Sequence, residues 1–167
     1  LNHRIPSTGF FLKEREQPRR LRKESVEGIP HYARKAVKEG KDLVLPDGSI
    51  VPNAQLTWDP PPQRSYAYCS DTAYSPELAP FLEGVHLLYH EATFTENLAA
   101  RAKETMHSTA RQAAMLARDA HARQLLLGHF SSRYKDVDQL KEEAVAVFPE
   151  TVMAGEGRTF PVGPPRN

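Results

Sequence analysis

The sequence predicts an α/β fold, because short apolar strand-like runs alternate with helix-like segments from residue 65 onward. Three of these runs end in polar, reactive side chains, at residues 66–72 (YAYCSDT), 87–94 (LLYHEATF) and 125–130 (LLLGHF). Active sites of open α/β sheets form just past the carboxyl ends of the strands, so these three ends are expected to meet at one edge. With a fourth cluster at 106–109 (MHST), the polar residues there are Asp71, His90, Glu91, His107 and His129. They are a typical set for a hydrolytic metal centre.

The N-terminal third of the chain predicts small elements separated by turns. Residues 9–12 (GFFL) indicate a strand, and residues 31–41 a short helix that ends at Gly40. The turn residues 46–48 (PDG) lie between two short apolar runs and predict a small hairpin.

Three consecutive prolines at 60–62 mark a boundary, since they lack the backbone donors that a sheet or helix interior needs. We therefore predict one domain from residues 1–12 and 63–167, with residues 13–62 as an inserted arm or hairpin excursion.

The remainder of the chain predicts alternating strands and helices. A capping box of Thr109 and Gln112 begins a helix whose alanines and Leu116 fall on one face, the pattern of a helix that packs on a sheet. Strands are predicted at residues 65–69, 85–89, 124–127, 151–153 and 158–162, and further helices at residues 76–81, 95–104 and 137–148.

Bulk composition indicates an ordinary globular protein of 167 residues, with 40% apolar and 26% charged residues. No apolar run is long enough to span a membrane, and residues 1–25 lack the apolar region of a signal peptide. The lone cysteine, Cys69, excludes an internal disulfide framework and favours a reducing, cytoplasmic compartment. Because the chain begins with Leu1 and not Met, we expect it to be a piece of a longer polypeptide.

Charge is concentrated in one segment. Residues 12–23 hold six basic and two acidic residues, although the whole chain carries a net charge of +1. Such a basic arm suggests contact with an anionic polymer. The alternative interpretation is a solvated charged loop.

Each candidate site residue also has a structural interpretation. Asp71 is either a metal ligand or the N-cap of a following helix. His129, placed at an edge by the flexible Gly128, is either functional or a hydrogen-bonded, partly buried histidine. His107 precedes a helix N-terminus that favours an anion, so it is placed to protonate a leaving oxygen. The alternative is simple capping of the same helix by Ser108 or Thr109, which is compatible with that role.

Glu91 and the segment at 131–133 (SSR) complete the candidate set. A carboxylate near His107 would raise the proton affinity of its ring and fix the ring orientation, so we assign that role to Glu91 and a packing role to His90. Arg133 is either a bidentate phosphate ligand, helped by the two serines before it, or a surface arginine.

Four motifs taken together resemble the ribonuclease Z family, the metallo-β-lactamase-fold endonucleases that trim the 3′ ends of tRNA precursors. The motifs are residues 68–72 (YCSDT), 90–94 (HEATF), 107–109 (HST) and 128–134 (GHFSSRY), in the family's order. The pairing of HEAT with HST is specific to this family within a widespread fold. The resemblance implies an αββα sandwich of two sheets flanked by helices, zinc dependence, precursor tRNA as the substrate and a homodimer.

The resemblance also implies a role for individual residues. His107 would be the catalytic histidine, oriented by Glu91. Two zinc ions would be held in part by this chain, with one carboxylate bridging them, and the implied ligands are His3, Asp71 and His129. Substrate would be bound by two groups of residues, one at the site and one in the inserted arm: Ser131, Ser132 and Arg133, and Arg19 and Arg20.

The chain departs from the family in one important respect. The principal metal motif, His-x-His-x-Asp-His, is absent from all 167 residues. We therefore expect the chain to be the C-terminal half of the enzyme, unable by itself to hold two zinc ions tightly or to cleave RNA. Two alternatives stay open. One is another metallo-β-lactamase-fold hydrolase, such as a thioesterase or a cyclic-nucleotide phosphodiesterase, and the other is a non-catalytic, metal-free RNA-binding module.

Overall fold

The computed structural model describes residues 1–163, which divide into two units: Leu1–Lys13 with the described residues from Arg64 onward, and Glu14–Gln63. The strands are β1 (Phe10–Lys13), β2 (Arg20–Leu21), β3 (Leu43–Val44), β4 (Ile50–Val51), β5 (Thr57–Trp58), β6 (Ser65–Cys69), β7 (Leu87–Glu91), β8 (Leu125–Gly128) and β9 (Thr151–Met153). The α-helices are α1 (Arg34–Lys38), α2 (Asn53–Leu56), α3 (Ala99–Thr105), α4 (Ala110–Asp119) and α5 (Asp138–Val145). Short 3-10 helices occupy Lys23–Ser25, His31–Ala33, Pro76–Leu82 and Glu96–Leu98.

The first unit is built on a five-stranded sheet in the order β1-β6-β7-β8-β9. Strand β1 pairs antiparallel with β6, and the other neighbours are parallel. The register pairs Cys69 with His90, and Glu91 with Gly128. Because β6, β7 and β8 run in the same direction, the residues that follow them lie at one edge of the sheet.

Helices α4 and α5 cover one face of this sheet and enclose the main core. The predicted capping box is present: the Thr109 hydroxyl accepts a hydrogen bond from the Gln112 amide, and the Gln112 side chain accepts one from the Thr109 amide. Along β6, buried and half-buried residues alternate, so every second side chain faces the helices. The core cluster centres on fully buried leucines and small residues of both layers: Ala67, Leu88, Ala113, Leu116, Leu125, Leu127 and Leu140.

The opposite face of the sheet is aromatic and partly exposed. The rings of Tyr68 and Tyr89 stack there, with centroids 4.7 Å apart. On the paired edge strand, Phe10 and Leu12 are 59% and 61% exposed. A Cβ built on Gly128 would come within 2.6 Å of the Tyr89 ring carbons, so the close approach of this ring requires a glycine there.

The second unit, residues 14–63, has a small core of its own formed by Ile29, Val37, Leu43 and Leu56. Asn53 links segments of this unit, because its side-chain amide donates hydrogen bonds to the Val37 and Lys41 carbonyls, both at 2.7 Å. The predicted hairpin is confirmed as β3 and β4. The prediction of residues 13–62 as an inserted excursion, and not a layer of the main core, stays a prediction; the segment buries a few apolar residues of its own around helix α1.

Two element predictions differ from the structure. No strand forms at residues 158–162, where the chain turns at Gly157 and continues irregularly. The segment Pro76–Leu82 is a 3-10 helix, because Pro80 lacks the amide that a regular α-helix needs at that position. Among the helices of residues 1–163, none combines the length and the apolar character needed to cross a membrane.

Candidate active site

Four side chains converge at the carboxyl edge of the sheet. Asp71 follows β6, Glu91 ends β7, His129 follows β8, and His107 lies in the loop before α4. One ligand-capable atom from each lies within 4.8 Å of the others. The sequence-based expectation that the strand ends meet at one edge is therefore met for Asp71, Glu91 and His129, and His107 joins them from a loop.

The backbone at the site adopts a conformation that aims these side chains inward. Asp71, Met106 and His129 have positive φ angles of 55°, 59° and 56°. This left-handed region is sparsely populated by residues other than glycine, although Asp and His are enriched there. Such backbone conformations are frequent at functional sites. Among the described residues other than glycine, three of the four with positive φ lie here, and the fourth is the exposed His121 at 47°.

Glu91 is fully buried, and every lone pair of its carboxylate is in use. Oε1 accepts hydrogen bonds from the Thr72 amide at 2.6 Å and from His107 Nδ1 at 2.9 Å. Oε2 accepts them from the Thr93 hydroxyl at 2.6 Å and the Ser108 amide at 3.1 Å. A carboxylate has about four acceptor positions, so none remains for a metal. Glu91 therefore ties the loops together and orients His107.

His107 is held by this carboxylate at Nδ1, which leaves Nε2 as its free ring nitrogen. The His107 side chain is 18% exposed, so that nitrogen is available to a ligand at the edge of the sheet. Its ring packs in a group of aromatic rings, 5.4 Å from that of His129 and 6.2 Å from that of Phe94. A buried carboxylate that accepts from Nδ1 fixes the orientation of the ring, and the catalytic role of this pair stays a prediction.

Asp71 and His129 face each other in a way that suits a shared cation. His129 Nε2 lies 3.0 Å from Asp71 Oδ1. That oxygen is buried and accepts no hydrogen bond from the part of the chain that the structure describes. A buried carboxylate oxygen without a donor is costly unless an ion or a proton satisfies it. Carboxylate oxygen and imidazole nitrogen are both ordinary zinc ligands, so the two residues fit a metal.

His3, the third implied ligand, lies beside this group but is not a member of it. Its Nδ1 is 2.9 Å from the carbonyl oxygen of Met106, and its ring centroid is 4.9 Å from that of His107. With Nδ1–H donating to that carbonyl, Nε2 is the nitrogen left for a ligand. The assignment of His3 to a metal remains a prediction.

The segment after His129 places the guanidinium of Arg133 near the carboxyl edge of the sheet. Arg133 lies with its guanidinium carbon 4.9 Å from the centre of the Phe94 ring, and its Nε donates to Ser131 Oγ at 3.0 Å. Both Arg133 and Ser132 are exposed. These residues can therefore present hydrogen-bond donors to an anion near the histidines.

A cavity of about 650 Å³ opens beside His107. Its walls are mainly apolar, with a few polar side chains that can fix a ligand's orientation: Asn2, Tyr74, Lys103 and Gln112. The Tyr74 ring is half-buried, and burial raises the pKa of its phenol. The cavity is large enough for one nucleotide unit of a longer substrate.

His90 and Cys69 lie in the core and not at the site. His90 is fully buried, and its Nδ1 donates to the Glu91 carbonyl at 2.8 Å. Burial lowers the pKa of His90, so the ring is neutral near pH 7. Burial also raises the pKa of the Cys69 thiol to about 11, which excludes it as a thiolate nucleophile at neutral pH.

In the second unit, the two predicted RNA-contacting arginines differ in their surroundings. Arg19 Nε donates to Thr57 Oγ1 at 2.7 Å, and its guanidinium pairs with Asp59 at 2.6 Å. Arg20 is exposed. Nearby, the guanidinium carbon of Arg22 lies 3.5 Å above the Trp58 ring. Arg19 is thus engaged within its own unit, whereas Arg20 is open to solvent.

Sequence reasoning gave no role to Thr93, whose hydroxyl touches three members of the site. The available signal was its position two residues after Glu91, since alternate residues of a strand share one face. Two backbone donors to Glu91, from Thr72 and Ser108, carry no signal in the sequence because every residue except proline has an amide.

Comparison with curated proteins identifies relatives named ribonuclease Z. The chain is 51% identical to that of Porphyromonas gingivalis over 158 residues, which is 93% of this chain and 52% of the relative. It is 47% identical to that of Bacteroides thetaiotaomicron over 158 residues, which is 93% of this chain and 50% of the relative. Identity to that of Cytophaga hutchinsonii is 40% over 162 residues, covering 96% and 52%. The chain thus spans about half the length of the curated relatives it matches. No family model matches it.

Solved structures agree on the fold. The metallo-β-lactamase fold protein YhfI from Bacillus subtilis matches with a TM-score of 0.53 and 29% identity, covering 57% of this chain and 39% of that one. A long form RNase Z from yeast matches with a TM-score of 0.50 and 30% identity, covering 55% and 12%. The predicted α/β class and metallo-β-lactamase-type fold are confirmed. The predicted resemblance to ribonuclease Z is also confirmed.

Proposed function

Because the chain is homologous to about half of ribonuclease Z, we propose that it forms part of a metal-dependent endoribonuclease that removes the 3′ trailer of precursor tRNA. One observation carries the proposal beyond homology. Asp71, Glu91, His107 and His129 lie within 4.8 Å of one another at the carboxyl edge of the sheet. Hydrolytic metal centres are built from such residues at such edges.

Asp71 and His129 are the proposed metal ligands, with His3 as a third. The buried Asp71 oxygen without a hydrogen-bond donor supports this choice, as does the 3.0 Å approach of His129 Nε2. We propose zinc, two ions in the complete site, on the strength of the nitrogen and oxygen ligand set. When bound, zinc would supply Lewis-acid stabilisation of the charge that develops on the phosphate.

His107 is the proposed proton donor to the departing oxygen. Its Nδ1–H donates to Glu91 at 2.9 Å, so a proton to be transferred is carried on Nε2. Glu91 has no free lone pair, and its proposed role is to hold the ring of His107 in one orientation.

Arg133, Ser131 and Ser132 are the proposed phosphate contacts. The position of Arg133 over Phe94, on the side of the site where His107 lies, supports this. An arginine there can bind two phosphate oxygens at once, and the serine hydroxyls can add donors. The cavity beside His107 would then receive a nucleotide next to the bond that is cut.

The second unit is the proposed surface for the body of the tRNA. A groove of about 660 Å³ on this unit has a mainly basic lining, formed by His31, Arg34, Lys35 and Lys38 with one carboxylate, Glu39, and the apolar residues Pro18 and Leu21. Phosphate contacts of this kind read the shape of a folded RNA and not its bases. Exposed Arg20 belongs to this surface in our proposal, and Arg19 supports it from within the unit.

The His-x-His-x-Asp-His motif is absent from the 167 residues. We propose that the motif lies on the same longer polypeptide, and that this chain alone is inactive. Homodimer formation remains a prediction from the resemblance, and a cytoplasmic location remains a prediction from the cysteine content.

The test is a cleavage assay on a precursor tRNA, with and without a chelator. It compares this chain with a longer polypeptide that includes the preceding residues of its reading frame. We expect chelator-sensitive cleavage at the end of the acceptor stem by the longer chain alone. Binding of the precursor without cleavage by either chain, unaffected by the chelator, would instead support the metal-free RNA-binding module. Hydrolysis of a thioester or a cyclic nucleotide with no effect on RNA would support a different hydrolase of the same fold.

A further inference from the structure

The hydroxyl of Thr93 lies at the centre of the site, in contact with three functional side chains. It lies 2.6 Å from Glu91 Oε2, 3.0 Å from His129 Nδ1 and 3.3 Å from His107 Nδ1. Thr93 is 7% exposed, so water cannot replace these partners easily. A buried hydroxyl with this many polar neighbours has a determined hydrogen-bond pattern.

The single proton of the Thr93 hydroxyl can be donated to an oxygen, of Glu91 or of the His129 carbonyl, or to an unprotonated Nδ1 of His107 or His129. Glu91 Oε2 is a carboxylate oxygen at 2.6 Å, and the His129 carbonyl is a neutral oxygen at 3.1 Å. Hydrogen bonds to ionised acceptors are shorter and about twice as strong, so the proton points to Glu91. The lone pairs of Thr93 Oγ1 then face the imidazole nitrogens and can only accept.

An accepting Oγ1 requires that His129 Nδ1 carries a proton. A neutral imidazole has one protonated nitrogen, so Nε2 of His129 keeps its lone pair. That lone pair lies 3.0 Å from the buried oxygen of Asp71, which also lacks a donor among the described residues. With Nε2 unprotonated, both atoms offer a lone pair to a cation. In the competing tautomer Nε2–H is donated to Asp71 Oδ1 and Nδ1 accepts from Thr93, and that tautomer is favoured only if the Thr93 proton leaves Glu91.

We propose that Thr93 is a positioning residue that couples Glu91 to His129 and holds the His129 ring in the tautomer with Nδ1 protonated and Nε2 free for a metal. One buried carboxylate then determines the tautomer of both histidines. Glu91 accepts from His107 Nδ1 directly at 2.9 Å, and it acts on His129 through the Thr93 hydroxyl. The metal-binding consequence rests on the proposed function. The tautomer is a property of the metal-free chain and can be measured separately.

The first measurement is the tautomer of His129 by ¹⁵N NMR of the metal-free 167-residue chain, at about pH 8.5, where imidazoles are neutral. We expect Nδ1–H at His129 in the native protein and in Thr93→Ser, which keeps the hydroxyl. In Thr93→Val, which has the same shape without the hydroxyl, a substantial Nε2–H population should form. Thr93→Ala also removes the hydroxyl and replaces the valine variant if that variant does not fold. Thr105→Val is the control, because that hydroxyl bonds the Arg101 carbonyl outside the site.

Two results would overturn the proposal: Nε2–H at His129 in the native chain, or a fully retained Nδ1–H in both Thr93→Val and Thr93→Ala. The second measurement is zinc affinity of the longer polypeptide, where Thr93→Val should weaken binding roughly 10- to 100-fold and Thr93→Ser should restore it. Unchanged affinity in Thr93→Val would contradict the positioning role. Absence of zinc binding by the native protein, with the tautomer as predicted, would count against the proposed function and leave the coupling of Thr93 to His129 in place.

Discussion

Replacing Glu91 with glutamine should destabilise the protein strongly, although the two side chains have nearly the same shape. Glu91 is 0% exposed and accepts hydrogen bonds from four donors, one of which, His107 Nδ1, lies 2.9 Å from Oε1 and 3.1 Å from Oε2. A glutamine must place an NH₂ group where one oxygen now lies. At the Oε1 position this group would face the Thr72 amide, which is a donor at 2.6 Å and cannot turn away.

The better arrangement places the NH₂ group at the Oε2 position. There the Thr93 hydroxyl can rotate to accept from it and donate to the His129 carbonyl at 3.1 Å, but the Ser108 amide loses its acceptor. A buried donor without a partner costs roughly 1–3 kcal/mol, and loss of the charge-assisted bonds adds about 1 kcal/mol. We therefore expect Glu91→Gln to lower the free energy of unfolding by about 2–4 kcal/mol.

Urea unfolding of the 167-residue chain, followed by circular dichroism, measures this change. Glu104→Gln is the matched control, since Glu104 is exposed and pairs with exposed Arg101. Glu104→Gln should change the free energy of unfolding by no more than about 0.5 kcal/mol. A Glu91→Gln variant as stable as the control would show that the carboxylate does not organise the loops around it, and the reasoning for His107 and Thr93 would fail with it.

Three further changes test other parts of the structure by the same unfolding assay. Gly128→Ala should lower the free energy of unfolding by about 1–3 kcal/mol, because the added Cβ would overlap the Tyr89 ring. Gly28→Ala is the control and should be nearly neutral, because the nearest atom to its Cβ lies at 3.6 Å. Equal effects of the two substitutions would contradict the packing argument. Burial lowers the pKa of His90, so below about pH 6.5 the unfolded chain binds a proton that the folded chain does not. The free energy of unfolding should therefore fall between pH 7.5 and 5.5 by up to about 1.4 kcal/mol more in the native protein than in His90→Gln, and parallel pH profiles would refute this. Thr109→Ala removes the N-cap of α4 and should cost about 1 kcal/mol, and a cost near zero would show that the cap is dispensable.

The sequence predicted the convergence of Asp71, Glu91 and His129 for a simple physical reason. Parallel strands bring their carboxyl ends to one edge, and each of these residues comes directly at or after a strand end. The strand pattern alone did not predict the position of His107, because this residue reaches the site from a loop. The ligand role of His3 was implied by the resemblance alone.

Other features could not be predicted because they depend on contacts across the chain. Thr93 owes its importance to the positions of three partners, two of them more than ten residues away. The need for Gly128 comes from the neighbouring strand, where the Tyr89 ring crosses it. The core of residues 14–63 was missed because its apolar residues, including Ile29 and Leu56, are widely spaced and show no periodicity.

The central claim is that Asp71 and His129 hold a metal, and the zinc content of the longer polypeptide tests it most directly. The purified native protein, Asp71→Asn and His129→Ala should be compared with His121→Ala, whose exposed ring pairs with Glu83 away from the site. The account predicts bound zinc in the native protein and in His121→Ala, with loss of zinc from both site variants. Native zinc content in Asp71→Asn and His129→Ala would contradict it.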